Sequence, residues 1–461
     1  MKSYELKPTY ENLLSTYMND SIGRNEDVFR FADILDSVDG DCSIALDGQW
    51  GSGKTFFVKQ VKLLLDAGNE HVTILDNDDR NKIKSIWQSM NRKREFDYQP
   101  QLCVYYDAWE NDSDDNPILS LVYSILTSLN IDEIPLENNN MFKKAAAVLE
   151  LFSGRNWGAI VSAFKSNNPL DEIKKSKDVD KEITEFIDSL LVERGNRLVV
   201  FIDELDRCKP NYAVKLLERI KHYFSNDKVT FVFSVNMQEL QHTIKKHYGS
   251  DFDAYRYLDR FFDLRITLPK ANRKQFYDSI DFDNGNYTYA IVCDAVIDTL
   301  NLSLREAGRF LRFSKIAAYE PTHKQSDSMI FSFSDGKARL FSLLYILPVM
   351  IGLKICSGDK YQTFINGRDS EPLINVINKL DHFNFEEFLS SGETFDKNVQ
   401  GKRTVNVADK FEEVYKALFF KHYSINDRYI EIGNMSFSNE IREFLLRTAS
   451  LLSEYTNASE D

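Results

Sequence analysis

Apolar runs of strand length recur through the first 270 residues, with stretches of helical period between them. Ser43-Ile44-Ala45-Leu46 is the first, Leu102-Cys103-Val104-Tyr105-Tyr106 the second and Arg197-Leu198-Val199-Val200-Phe201-Ile202 the third. Val229-Thr230-Phe231-Val232-Phe233-Ser234-Val235 and Leu264-Arg265-Ile266-Thr267-Leu268-Pro269 follow. The first and fourth runs predict buried strands, the third, a continuous apolar run ending in carboxylates, a central parallel strand, and the last a further strand. The helices are expected at 28–35, capped by Asn25-Glu26-Asp27, at 55–65, at 117–129 with Pro117 at the start, and at 212–224.

Beyond residue 270 the pattern turns helical. Ser303 precedes Glu306 by three residues, the spacing of a capping box, and opens a helix through Phe313. Residues 340–355 are strongly apolar but broken by Ser342, Pro348, Gly352 and Lys354, which predicts a buried helix rather than a membrane span. Residues 360–405 read as loop-rich and 407–455 as helical. The apolar pieces at 145–149 and 157–161 are each too short to cross a bilayer and predict a buried or surface-lying hairpin over 141–165. The expected organisation is a core over 1–270 with a variable insert around 130–190, a helical lid over 271–325 and an α-helical domain over 326–461.

Chemistry enters where strands end. Gly48-Gln49-Trp50-Gly51-Ser52-Gly53-Lys54-Thr55, followed by Phe56, has the G-x-x-x-x-G-K-[ST] spacing of a phosphate-binding loop between a strand and a helix. Glycines let such a loop wrap an anion closely, and the loop amides and helix N-terminus then face it. Lys54 would reach the β/γ-phosphates and Thr55 would bind Mg²⁺. The third strand ends in Asp203-Glu204, at the strand end where open α/β sheets place their ligands. Asp203 would hold Mg²⁺ and Glu204 would orient or deprotonate the attacking water. Asn236, after the fourth strand, reads either as a sensor of the γ-phosphate or as a strand-end turn residue. Arg256 or Arg260 reads either as an arginine finger for a neighbouring subunit or as a local partner of Asp259 or Asp263. Arg305 is a candidate second sensor, and Trp109 reads as a packing residue rather than a base stacker.

The net charge of −14 disfavours broad nucleic-acid binding. It leaves a small basic cluster of Arg80, Lys82, Lys84, Arg92, Lys93 and Arg94 around Trp87, which reads either as a nucleic-acid or acidic-lipid patch or as a solvated helix face. Five scattered cysteines without C-x-x-C spacing predict reduced thiols and a cytosolic setting. The first residues show no apolar stretch of the signal-peptide kind.

Taken together, the loop, Ile202-Asp203-Glu204-Leu205-Asp206-Arg207-Cys208, Asp107-Ala108-Trp109 and Tyr257-Leu258-Asp259-Arg260-Phe261-Phe262 make this chain resemble the KAP family of P-loop NTPases. The resemblance covers about residues 15–320. It implies a three-layer αβα sandwich of the additional-strand catalytic-glutamate class, with parallel strand order 5-1-4-3-2 and a mostly α-helical C-terminal region. It also implies an Mg²⁺-dependent ATPase, with family ties to membranes and to phage exclusion. The expected ligands are ATP and Mg²⁺. The expected catalytic residues are Glu204, Lys54, Asn236 and Arg260. The expected partners are a second copy or another protein held through the C-terminal helices, with peripheral contact at the inner face of the membrane. Three functional readings stand side by side: an ATP-hydrolysing switch or motor, a slow nucleotide-gated sensor, and an ATPase stimulated by nucleic acid.

Overall fold

A computed structural model describes residues 6–72, 75–90, 95–114, 116–128, 179–192, 194–224, 226–272, 275–276, 287–323, 334–380, 385–397, 399–420 and 429–450. The chain divides into two compact units, Leu6–Phe276 and the part that starts at Tyr277. The hairpin expected at 141–165 and the residues Arg92, Lys93 and Arg94 lie outside the described residues.

The first unit is built on a five-stranded parallel sheet of β1 (Cys42–Asp47), β2 (Gln101–Asp107), β3 (Arg197–Asp203), β4 (Val229–Val235) and β5 (Leu264–Thr267), in the order β2-β3-β4-β1-β5. This is the order the family resemblance implies, read from the other edge. The register sets Asp107 beside Asp203 and Asp203 beside Ser234, while Asp47 lies beside Val235 and Thr267. The strands therefore end along a common line, and the residues that follow them share one rim.

Helices cover the sheet in two sets. α1 (Tyr10–Met18), α2 (Asn25–Ser37) and α4 (Asn77–Met90) pack around α3 (Lys54–Gly68), which meets β2 and β4. α5 (Pro117–Ser128), α6 (Val179–Leu191) and α8 (Met237–Tyr248) pack around α7 (Pro210–Tyr223). Alternate strand residues such as Val104, Val200 and Phe233 join the second set in one core, as period-two alternation requires. β3 is apolar from Leu198 to Ile202 and β4 is buried along its whole length, as strands covered on both faces are.

The start of α2 differs from expectation. Asn25 lies inside the first turn, where its Nδ2 donates to Tyr17 O, and the capping acceptor is Asp20 Oδ1, which takes the amides of Arg24 and Asn25. The basic cluster also comes apart. Arg80 is buried and donates to the carbonyls of Asp66, Ala67, Asn69 and Val72, while Trp87 is buried with its Nε1 on Tyr98. Both serve the interior, so neither is available to a nucleic acid.

The second unit is helical with short strands. α9 (Ala254–Asp259) closes the first unit's helices, and α10 (Tyr287–Thr299) and α11 (Leu304–His323) open the second. The expected capping box is present: Ser303 N donates to Glu306 Oε2 (2.8 Å) and Glu306 N to Ser303 Oγ (3.3 Å). The run Gly336–Cys356 is the one helical stretch among the described residues long and apolar enough to cross a membrane, and 61% of its most apolar window is buried. It changes to π geometry over Ser342–Ile346, immediately before Pro348, whose ring and missing N–H break the regular ladder there. Within 360–405, read as loop-rich, the structure has helices at Gly358–Ile365 and Glu371–Ile377. Within 407–455, read as helical, an antiparallel hairpin of Tyr429–Ile432 and Met435–Ser438 separates the helices Val407–Phe419 and Asn439–Ser450.

Candidate functional site

The loop from Gly48 to Thr55 joins β1 to α3. Gly51 (φ 77°) and Gly53 (φ 90°) adopt left-handed backbone that a side chain would strain. At Gly48 a Cβ would lie 2.9 Å from Ser52 Oγ and 3.1 Å from Lys54 Cγ, so the loop is drawn tight around its own lysine. Lys54 is buried, and its Nζ donates to Gly48 O (2.6 Å) and Gln49 O (3.3 Å), while Ser52 N donates to Gln49 O (3.2 Å). Burial lowers the Lys54 pKa, against the opposing pull of Asp206, Asp203 and Glu204. An anion arriving here meets the N-terminus of a fifteen-residue helix and an ammonium that is otherwise spent on loop carbonyls.

Asp203 is the hub of the facing side. It is fully buried at the end of β3. Its Oδ2 accepts from Thr55 Oγ1 (2.6 Å) and from Tyr105 OH (2.9 Å), and its Oδ1 accepts from Glu204 N (3.0 Å). A hydroxyl and a carboxylate side by side are the hard oxygen donors that suit Mg²⁺, and the glycine cradle beside them suits phosphate, so these residues fit a nucleotide with its metal. Tyr105 is braced in turn by Lys59, whose Nζ lies 4.1 Å from the ring centre.

Glu204 follows in left-handed backbone (φ 59°), an uncommon conformation for a residue with a Cβ. Its carboxylate pairs with Arg207. Burial raises its pKa to about 7, Asp203 adds to the rise and Arg207 opposes it. Arg207 also lies between two half-exposed indoles, with its guanidinium 5.5 Å from the Trp50 ring centre and 5.3 Å from that of Trp109. Trp50 is tied down by its own Nε1 on Asp206 Oδ2 (2.6 Å).

The loop residues, Asp203 and Glu204 thus come together at one rim. Phe56 stands apart from the loop surface, since its side chain is buried in the core at 7% exposure. Asn236 follows β4 and its Oδ1 caps α8 by accepting from Gln238 N (3.1 Å) and Glu239 N (3.4 Å). Arg260 is exposed at the end of α9, while Asp259 pairs with Arg265 and Asp263 accepts from Ser43 N, so the expected local partners are taken. Arg256 pairs with Asp253 at the surface. Arg305 is exposed on α11 in the second unit. Trp109 is not the packing residue expected from sequence; it is 52% exposed and covered on one face by Arg207. Tyr105 and Arg207 went unread, although each has a signal: Tyr105 shares a strand face with Asp107 next to the acidic strand, and Arg207 lies three residues past Glu204.

A family profile described as the KAP family P-loop domain matches residues 28–287. Among curated proteins, an uncharacterized protein of Methanocaldococcus jannaschii is 28% identical over 165 residues, which covers 27% of this chain and 84% of that protein.

Proposed function

The chain belongs to the KAP family of P-loop NTPases, and from that premise we propose that it binds ATP with Mg²⁺ and hydrolyses it as a molecular switch. The observation that carries this reading is the meeting of Lys54, Thr55, Asp203 and Glu204 at one rim of the sheet. Lys54 and the loop amides hold the phosphates and offset their charge. Thr55 and Asp203 would hold the metal ion, which would supply charge neutralisation for the transferring phosphoryl group. Tyr105 fixes the Asp203 carboxylate by donating its hydroxyl to Oδ2. Glu204 takes a proton from the attacking water as the bond from water oxygen to the γ-phosphorus forms and the bond to the β–γ bridging oxygen breaks.

One observation favours a second reading, a nucleotide-gated module with slow turnover. Glu204 is engaged by Arg207, so its carboxylate is not free to meet a water in the resting arrangement. Both readings share the nucleotide site and differ in rate. Calorimetric ATP binding and turnover of Lys54→Ala and Glu204→Gln separate them. Loss of binding in the first and retained binding with lost turnover in the second support the ATPase; wild-type protein that binds ATP but turns it over no faster than Glu204→Gln supports the module.

A further inference from the structure

Arg24 is a buried cation with no part in the chemistry above. It lies in the turn between α1 and α2 and is 4% exposed. Its Nη1 donates to the Ser52 carbonyl in the phosphate loop (3.0 Å), and its Nη2 donates to the carbonyl of Pro269, just past β5. Its Nε is buried with no partner among the described residues. Burial lowers its pKa to about 10, with Asp27 opposing, so it remains a cation at neutral pH.

The turn that carries Arg24 is held from both sides. Asp20 Oδ1 accepts the Arg24 amide (3.0 Å), and Asn272 N donates to Ile22 O (3.0 Å). Gly23, at φ 64°, sits so close that a Cβ there would lie 2.5 Å from Asn272 Cβ. Leu268 N in turn donates to Asp47 O (2.7 Å), at the end of the strand that feeds the loop. The stretch from Leu268 to Asn272 is therefore locked to this turn, and a few residues later the chain passes into the second unit at Tyr277.

We propose that Arg24 is a positioning residue that couples the shape of the phosphate loop to the stretch Leu268–Asn272, and so carries nucleotide occupancy toward the second unit. The inference rests on the nucleotide reading of the loop. Ser52 is the shared element: its N–H spans the loop to Gln49 O at 3.2 Å, and its carbonyl is the one Arg24 holds. A phosphate that claims loop amides competes for that N–H and reshapes the peptide on which Arg24 pulls. The spare Nε–H gives the guanidinium a donor with which to follow a moved carbonyl. A planar fork is needed to hold two carbonyls on opposite sides, and an ammonium at the same place keeps the charge but not the bridge.

The test is amide hydrogen exchange of the full chain with and without AMP-PNP and Mg²⁺, in wild type and Arg24→Lys, with nucleotide affinity measured alongside. In wild type, nucleotide is expected to slow exchange at 268–272 by about fivefold or more. Arg24→Lys is expected to bind nucleotide but lose that slowing. A merely structural role would lower stability in the variant and leave the nucleotide dependence intact, and that outcome overturns the proposal. So does a wild type that binds nucleotide without any change at 268–272, a comparison that stands even if Arg24→Lys fails to fold. A wild type that does not bind AMP-PNP at all overturns the nucleotide reading itself, and the coupling with it.

Discussion

Asp203 takes three donors while completely buried, from Thr55 and Tyr105 on one oxygen and from the Glu204 amide on the other. A carboxylate so constrained presents one orientation, which is what a metal-binding strand end requires. The Tyr105 hydroxyl is therefore expected to matter for metal rather than for fold. Tyr105→Phe should weaken Mg²⁺-dependent ATP binding by about 10–100-fold and leave metal-free binding near wild type. Titrations with Mg²⁺ and with EDTA decide this; equal affinity for Mg²⁺-ATP in both proteins would remove Tyr105 from the site. Neighbouring Glu204 contrasts with Asp203 in holding left-handed backbone and pairing with an arginine. Such a conformation costs on the order of 1–3 kcal/mol and persists only where its surroundings impose it, as functional sites do.

At the scale of elements, α3 shows how the chain finishes what the loop begins. Its C-terminal carbonyls lack partners within the helix, and Arg80 from α4 supplies them to Asp66 and Ala67 while also holding Asn69 and Val72. Arg80→Leu leaves those acceptors buried and is expected to cost on the order of 3 kcal/mol, visible as a lower denaturant midpoint; an unchanged midpoint would contradict the capping role. In the second unit Gly352 allows close approach, since a Cβ would lie 2.7 Å from both Leu300 Cδ1 and Val296 Cγ1. Gly352→Ala is expected to destabilise by about 1–3 kcal/mol, read as a lower Tm. The elements legible in sequence were those with long, consistent patterns: β3 is apolar from Leu198 to Ile202 and β4 is mostly apolar because both faces are covered, and the loop is legible because its glycines hold backbone that a side chain would strain. The hairpin at 429–438 escaped because its strands are four residues each, although Gly433 at φ 61° marks its turn. Tyr105, Arg207 and Arg24 escaped for another reason. The local signals of Tyr105 and Arg207 are slight, and the contacts that give all three their place, Tyr105 to Asp203, Arg207 to Trp50 and Arg24 to Ser52 and Pro269, join residues far apart in the chain.

Over the whole molecule, charge and placement point the same way. The net charge is −14, and Arg80 of the basic cluster, with Trp87 beside it, is turned to interior use. DNA at low salt is accordingly expected to leave ATP turnover unchanged; a salt-sensitive stimulation would revive the nucleic-acid reading. The central claim is that a Lys54 loop, a Thr55–Asp203 metal seat and a Glu204 base form one hydrolytic site. Its most direct test is steady-state ATP turnover of wild type and Glu204→Gln in Mg²⁺, with ATP affinity measured for both. The site as described predicts turnover in wild type, a drop of about 10²–10⁴-fold in the variant, and similar ATP affinity in both. Equal turnover in the two proteins, at equal affinity, would contradict it.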